Sequence, residues 1–200
     1  MLKALYKYIT LFFILIIFTG CASALMGGVA SVGIATVQER SVKDAAIDLK
    51  LELQIQGALF KQDKDKLFTS IDIHVVEQRV LMIGNLETQE LRDLAAKIAW
   101  EVSPKIKEVL NEITISKKTS LVSEAKDARI SLSLSGLLIG DAAVSDINFS
   151  HSVSKQVIYL IGIALNDKEL NKVIHHARPV KGAKKVVSHI ILKNDKRRLN

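Results

Sequence analysis

Two hundred residues, 48% of them apolar and 24% charged, suffice for one medium domain or two small ones with a buried core. A single cysteine excludes an intramolecular disulfide and any CxxC metal or redox pair, and 5% aromatics argue against a large aromatic ligand cage. The net charge of +7 is uneven: residues 44–116 carry nine basic and thirteen acidic side chains, whereas residues 117–200 carry fifteen and seven. The second half therefore favours an anionic partner, with a basic solvated face as the plain alternative.

The chain begins with a positive segment, "MLKALYKY", followed by the apolar run "ITLFFILIIF", small residues and Cys21. That order is the order of a bacterial export signal. "FTGC" resembles a bacterial lipobox, with Phe18 where leucine is usual. Attachment of diacylglycerol requires the sulfur nucleophile that Cys21 supplies. The expectation is a signal peptide over 1–20 and a lipidated tether over 21–43, anchored by acyl chains at about 0.8 kcal/mol per buried methylene. Ala22, rather than aspartate, follows the cysteine, which favours the outer membrane. The alternative is an intact spanning helix starting near Tyr6. No charged residue lies between Lys7 and Glu39, and a span needs about 20 apolar residues.

Beyond the tether the sequence repeats. "IDLKLELQI" and "RISLSLSGLL" open the two copies. Both alternate apolar and polar residues with period two, as strands do. Both also carry a helical stripe, Ile47, Leu51, Ile55 and Leu59 in one and Ile130, Leu134 and Leu138 in the other. The unbroken run through "QGALF" favours helix. Two short strands joined by a tight turn follow in each copy, ending in "QRVLMIG" and "QVIYLIG". Ile71, Ile73 and Val75 match Phe149, His151 and Val153, and His74 and His151 read as equivalent strand positions. Gly84 and Gly162 close the second strands, where a turn or a close backbone approach would exclude a side chain.

A helix then follows in each copy. Leu91, Leu94, Ala95, Ile98 and Val102 form the first stripe, between a Thr88 cap and Pro104. Leu170, Val173, Ile174 and Ala177 form the second, with Asn166 or Asp167 as cap, Glu169 in the first turn and Pro179 beyond the end. "VLNEITI" and "VVSHIIL" are the closing strands. The expected fold class is α+β: two tandem αββαβ modules, each a three-stranded mixed sheet covered by two helices. Module one spans 44–116, a linker 117–123, module two 124–193, and a fraying basic tail 194–200.

Catalytic signatures are missing from the sequence. No GxSxG, HExxH or phosphate loop occurs. Asp63 and Asp65 sit in a lysine-rich loop rather than as an acid–base pair, and the five histidines show no metal-ligand spacing. No enzyme activity, metal or cofactor is expected. Nucleic acid is the rival partner for the C-terminal lysines and arginines, and an export signal argues against that encounter.

The ordered combination of the glycine-containing tether, "RSV" (Arg40 to Val42), "VLMIG" with "KEVLNEI", and "IYLIG" with "KKVVSHI" resembles the dual-BON-domain lipoproteins of the bacterial outer membrane. The resemblance implies that the ambiguous first elements are helices. It implies a periplasm-facing, non-enzymatic envelope protein that binds anionic phospholipid, notably phosphatidylglycerol, and supports outer-membrane integrity. The contact it implies lies on the first helix of module two: Lys126, Arg129, Ile130 and Leu134. Asp127 matches a family aspartate, and Arg129 stands where the family places an interfacial tryptophan. An adaptor for envelope proteins, with little lipid affinity of its own, is the other expectation.

Overall fold

The computed structural model describes residues 41–116 and 120–198. The expected signal peptide, Cys21 and most of the tether lie outside the described residues. Residues Gln38–Asn200 make one compact unit.

Helix α1 (Val42–Gln62) starts at Ser41, whose hydroxyl accepts the Asp44 N–H. Its inward row is Asp48, Leu51, Ile55 and Leu59, the spacing of one helical face. A 3-10 turn (Phe68–Ser70) leads into β1 (Ile71–Val76) and β2 (Arg79–Leu86). Helix α2 (Gln89–Glu101) and β3 (Glu108–Ile115) complete the module. β1 pairs antiparallel with β2, and β2 parallel with β3. The α2 crossover is what allows that parallel pairing.

Module two repeats the plan with α3 (Leu121–Ile139), β4 (Phe149–Ser154), β5 (Val157–Ala164), α4 (Asp167–Ala177) and β6 (Lys185–Leu192). Ser120 caps α3, and Asn166 caps α4 by accepting the Glu169 N–H. Glu169 in turn accepts the N–H groups of Ser145 and Leu165, a reciprocal cap that also fixes the loop before β4. The ambiguous first elements are helices in both modules.

Each hairpin turns on two non-glycine residues with positive φ: Glu77 (51°) and Gln78 (61°), then Lys155 (52°) and Gln156 (64°). This is the signature of a two-residue hairpin turn that usually takes Asn-Gly. A carboxylate holds it in place. Asp48 accepts the N–H groups of Glu77 and Gln78 at 2.8 and 2.9 Å. Asp127 accepts those of Lys155 and Gln156 at 2.8 and 2.7 Å. Both carboxylates are buried beneath their turns.

Gly84 and Gly162 lie inside β2 and β5, opposite Ile71 and Phe149. A Cβ on Gly84 would stand 2.0 Å from the Ser70 carbonyl oxygen, and one on Gly162 2.5 Å from that of Asn148. The requirement is close backbone approach where the first strand enters the sheet.

The helices of each module cover one face of its sheet, around Leu51, Ile55 and Met82 in one core and Ile130, Leu134 and Leu160 in the other. The bare faces pack on each other through Val76, Leu81, Ile83, Tyr159, Ile161 and Ile163. β2 and β5 are therefore buried on both sides, which explains their unbroken apolar runs. Polar bridges frame this seam. Arg79 donates to Glu108 at 2.7 Å and to the His189 carbonyl at 3.1 Å. His189 meets Glu112 at 2.8 Å, and Lys155 reaches Ser116.

Two expectations change. By register His74 corresponds to Ser152, and His151 to Ile73, so the two histidines lie on opposite sheet faces and are not equivalent. The C-terminal tail does not fray as far as Arg198: its guanidinium forms two bonds to Glu77, at 2.7 and 2.8 Å, and folds the segment into a 3-10 turn (Lys196–Arg198) against module one.

Asp127→Ala is expected to lower the unfolding free energy by about 2–4 kcal/mol in urea denaturation, because two charge-assisted bonds are lost from a partly buried turn. Converting Lys155-Gln156 to Asn-Gly in that background should recover part of the loss, since Asn-Gly adopts this turn at low cost. Absence of any recovery would show that the carboxylate does not act through the turn.

Candidate functional site

The four residues expected to meet lipid fall on two sides of α3. Ile130 and Leu134 are buried in the module-two core beside Leu138. They follow Asp127 on its inward row, so they present no surface to a membrane. Lys126 and Arg129 are exposed. The apolar residues that do face solvent are others: Leu121 is 82% exposed, Leu132 74% and Ile139 69%. With Ala125 and Ala128 they make an outer apolar stripe at helical spacing, and Arg129 stands beside it.

A helix of a globular domain ordinarily turns polar side chains outward, and isolated exposed leucines need no explanation. Here the exposed apolar residues are aligned along one face, with Arg129 on one flank and Glu124 on the other. The period-two pattern of "RISLSLS" contained this information: Ile130 and Leu134 serve the inner face and Leu132 the outer one. Placing Asp127 under its turn was the missing constraint that tells the two faces apart.

A groove of about 780 Å³ runs beside this helix between the modules, lined by Ser70, Asp72, Asn85, Glu124, Ser131 and Ser152 among others. It offers hydroxyls and carboxylates. His151 Nε2 lies 3.2 Å from Ser131 Oγ and 3.4 Å from Ser135 Oγ. The Ser135 hydroxyl donates to the Ser131 carbonyl, an ordinary local helix bond. Elsewhere Asp141 receives Lys172 and His176, both at 2.8 Å, and the bond from Lys172, then that from His176, hold its carboxyl well below the usual range. Among the described residues no cluster of three or more histidine, cysteine or acidic side chains is arranged to hold a metal. No helix there is long and apolar enough to cross a membrane.

The family comparison agrees with the duplicated architecture. The BON-domain profile matches residues 37–117 and again 126–194. The chain is 37% identical, over 158 residues, to the "Uncharacterized protein in gshII 5'region" of Anaplasma centrale, covering 78% of this chain and 99% of that one. It is 25% identical, over 168 residues, to the "Outer membrane lipoprotein DolP" of Haemophilus influenzae, covering 84% and 86% respectively. Among solved structures, CdsD, a structural protein of the type III secretion system of Chlamydia trachomatis, aligns over 72% of this chain and 63% of that one. The identity is 16% and the TM-score 0.30.

Burial lowers the pKa of His74, with the charge of Asp72 opposing and that of His151 adding. Burial also lowers His151, against the Ser131 carbonyl. The unfolded chain therefore binds more protons than the folded one as pH falls through about 6.5, and stability drops there. The urea midpoint should be lower at pH 5 than at pH 7.5. The difference should shrink in the His74→Asn, His151→Asn double variant.

Proposed function

The chain belongs to the BON-domain family, whose modules are non-catalytic, and from that premise we propose that it is an envelope lipoprotein that docks on anionic phospholipid. The signal peptide is removed before Cys21, acyl chains on Cys21 hold the protein at the outer membrane, and both modules face the periplasm. The naming of one relative as an outer-membrane lipoprotein supports this placement, as does the lipobox-like "FTGC".

The observation that carries the binding role is the outer face of α3. Leu121, Leu132 and Ile139 are exposed together beside Arg129, with Lys126 one turn away. Apolar side chains that leave water for the acyl boundary gain roughly 25 cal/mol per Å², and each cation near an anionic surface contributes about 1 kcal/mol. Phosphatidylglycerol supplies such a surface. Ile130 and Leu134 act indirectly, by seating the helix on its sheet. Membrane docking of this kind, through a rigid module on a lipid anchor, would support outer-membrane integrity without chemistry.

A second reading, an adaptor for envelope proteins, draws on Trp100, which is half-exposed on α2 of module one. Tryptophan is over-represented among the residues that dominate protein contacts.

Flotation with vesicles separates the two. Residues 38–200 should bind phosphatidylcholine vesicles more tightly as phosphatidylglycerol is added, and Lys126→Glu with Arg129→Glu should weaken that binding by more than about tenfold. Binding indifferent to phosphatidylglycerol favours the adaptor. Intact mass of the membrane-extracted protein should show loss of residues 1–20 and acylation at Cys21; an unmodified full-length mass overturns the anchor.

A further inference from the structure

Helix α1 carries a second outward-facing apolar stripe. Leu49 and Leu53 are 58% and 59% exposed, and Val42, Ala46 and Phe60 lie on the same side of the helix and are also exposed. Their spacing (i, i+4, i+7, i+11, i+18) follows one helical face. Lys43, Lys50 and Lys61 are all exposed. Their spacing of seven and eleven residues sets them in a row along one flank of the stripe, over about 27 Å of helix at 1.5 Å per residue.

The acidic residues of α1 do not interrupt this row. Asp48 is buried under the hairpin turn. Glu52 is partly buried beside Gln56, Asp72 and His74. Asp44 receives the Ser41 hydroxyl at the helix start. At the other end Phe60 meets Phe68 edge to face, with ring centroids 5.3 Å apart, and both rings are exposed. Aromatic rings on an apolar stripe flanked by lysines are the composition of a helix that lies in the membrane interface.

We propose that α1 of module one is a second membrane-binding surface, which lays its outer face on an anionic phospholipid bilayer. The lysine row selects the occupant, since a bilayer of anionic headgroups matches a line of cations beside an apolar strip. The uncharged stretch from Tyr8 to Gln38 precedes α1 by only three residues. The proposal rests on the envelope-protein reading but not on α3, because the two helices cover opposite outer faces of the paired sheets.

The test uses residues 38–200, one compact unit that contains no cysteine. Leu53→Cys and, separately, Leu132→Cys are labelled with a polarity-sensitive fluorophore and mixed with phosphatidylcholine vesicles, with and without phosphatidylglycerol. The label at position 53 should shift to the blue only with phosphatidylglycerol. Partition should weaken by about tenfold or more in the Lys43→Glu, Lys50→Glu, Lys61→Glu variant, with its thermal midpoint within a few degrees of the parent. The Lys126→Glu, Arg129→Glu variant should leave the position-53 response in place.

A blue shift at 132 with none at 53 overturns the inference and leaves the module-two reading standing. A shift at 53 alone supports it and removes α3 as the contact. No shift at either position overturns both, and a position-53 label that responds only to an added acidic protein assigns the face to a protein partner instead.

Discussion

A buried carboxylate under a left-handed turn is the interaction on which each module depends. Glu77, Gln78, Lys155 and Gln156 occupy a backbone region that costs an L-residue roughly 1–2 kcal/mol. Asp48 and Asp127 offset that cost with two charge-assisted bonds apiece. The same bonds lock the first helix to the hairpin tip. They set its rotation, so Leu51 and Ile55, or Ile130 and Leu134, point at the sheet. Everything outward on those helices is then determined as well, including the stripes through Leu53 and Leu132.

The hairpins, the second helices and the closing strands are legible in the sequence because each carries one periodicity. β2 and β5 read as continuous apolar runs flanked by alternating partners, and Thr88 and Asn166 mark helix starts that the structure keeps. The first helices resist reading for a physical reason. "LKLEL" and "ISLSL" alternate because apolar residues occupy both faces of one helix: Leu51 and Ile55 inside, Leu49 and Leu53 outside. Two helical stripes half a turn apart mimic a strand. For the candidate site, the cations Lys126 and Arg129 are exposed as the sequence suggests, whereas Ile130 and Leu134 are spent on the core. The helical stripe of Ile130, Leu134 and Leu138 already reads as one face, and the aspartate placed under its turn assigns that face to the core. The histidine on β1 and the one on β4 differ by one strand position, which is enough to send them to opposite faces.

The two modules meet through contacts between counterpart residues, and those pairs are informative. His74 bonds to Ser152, its own counterpart, at 2.8 Å. Glu112 pairs with His189, again its counterpart by register. In a symmetric dimer of identical modules, glutamate would face glutamate at such a point and repel. Joining the copies in one chain lets the two sides differ, so a donor meets an acceptor. The face that mates the modules is thereby specific to this pairing, while the helical faces remain outward.

The separation in sequence of these contacts orders the assembly of the molecule. Each aspartate reaches a turn 28 to 30 residues away, whereas the seam is closed by contacts 77, 78, 110 and 121 residues apart. Loop-closure entropy rises with that distance and contacts of high separation form late. Module one therefore closes its own core before module two docks over its bare sheet face. Until then Leu81 and Ile83 stand open to water. The folding chain carries an unprotected apolar sheet across that interval, a window in which a holding chaperone has something to bind.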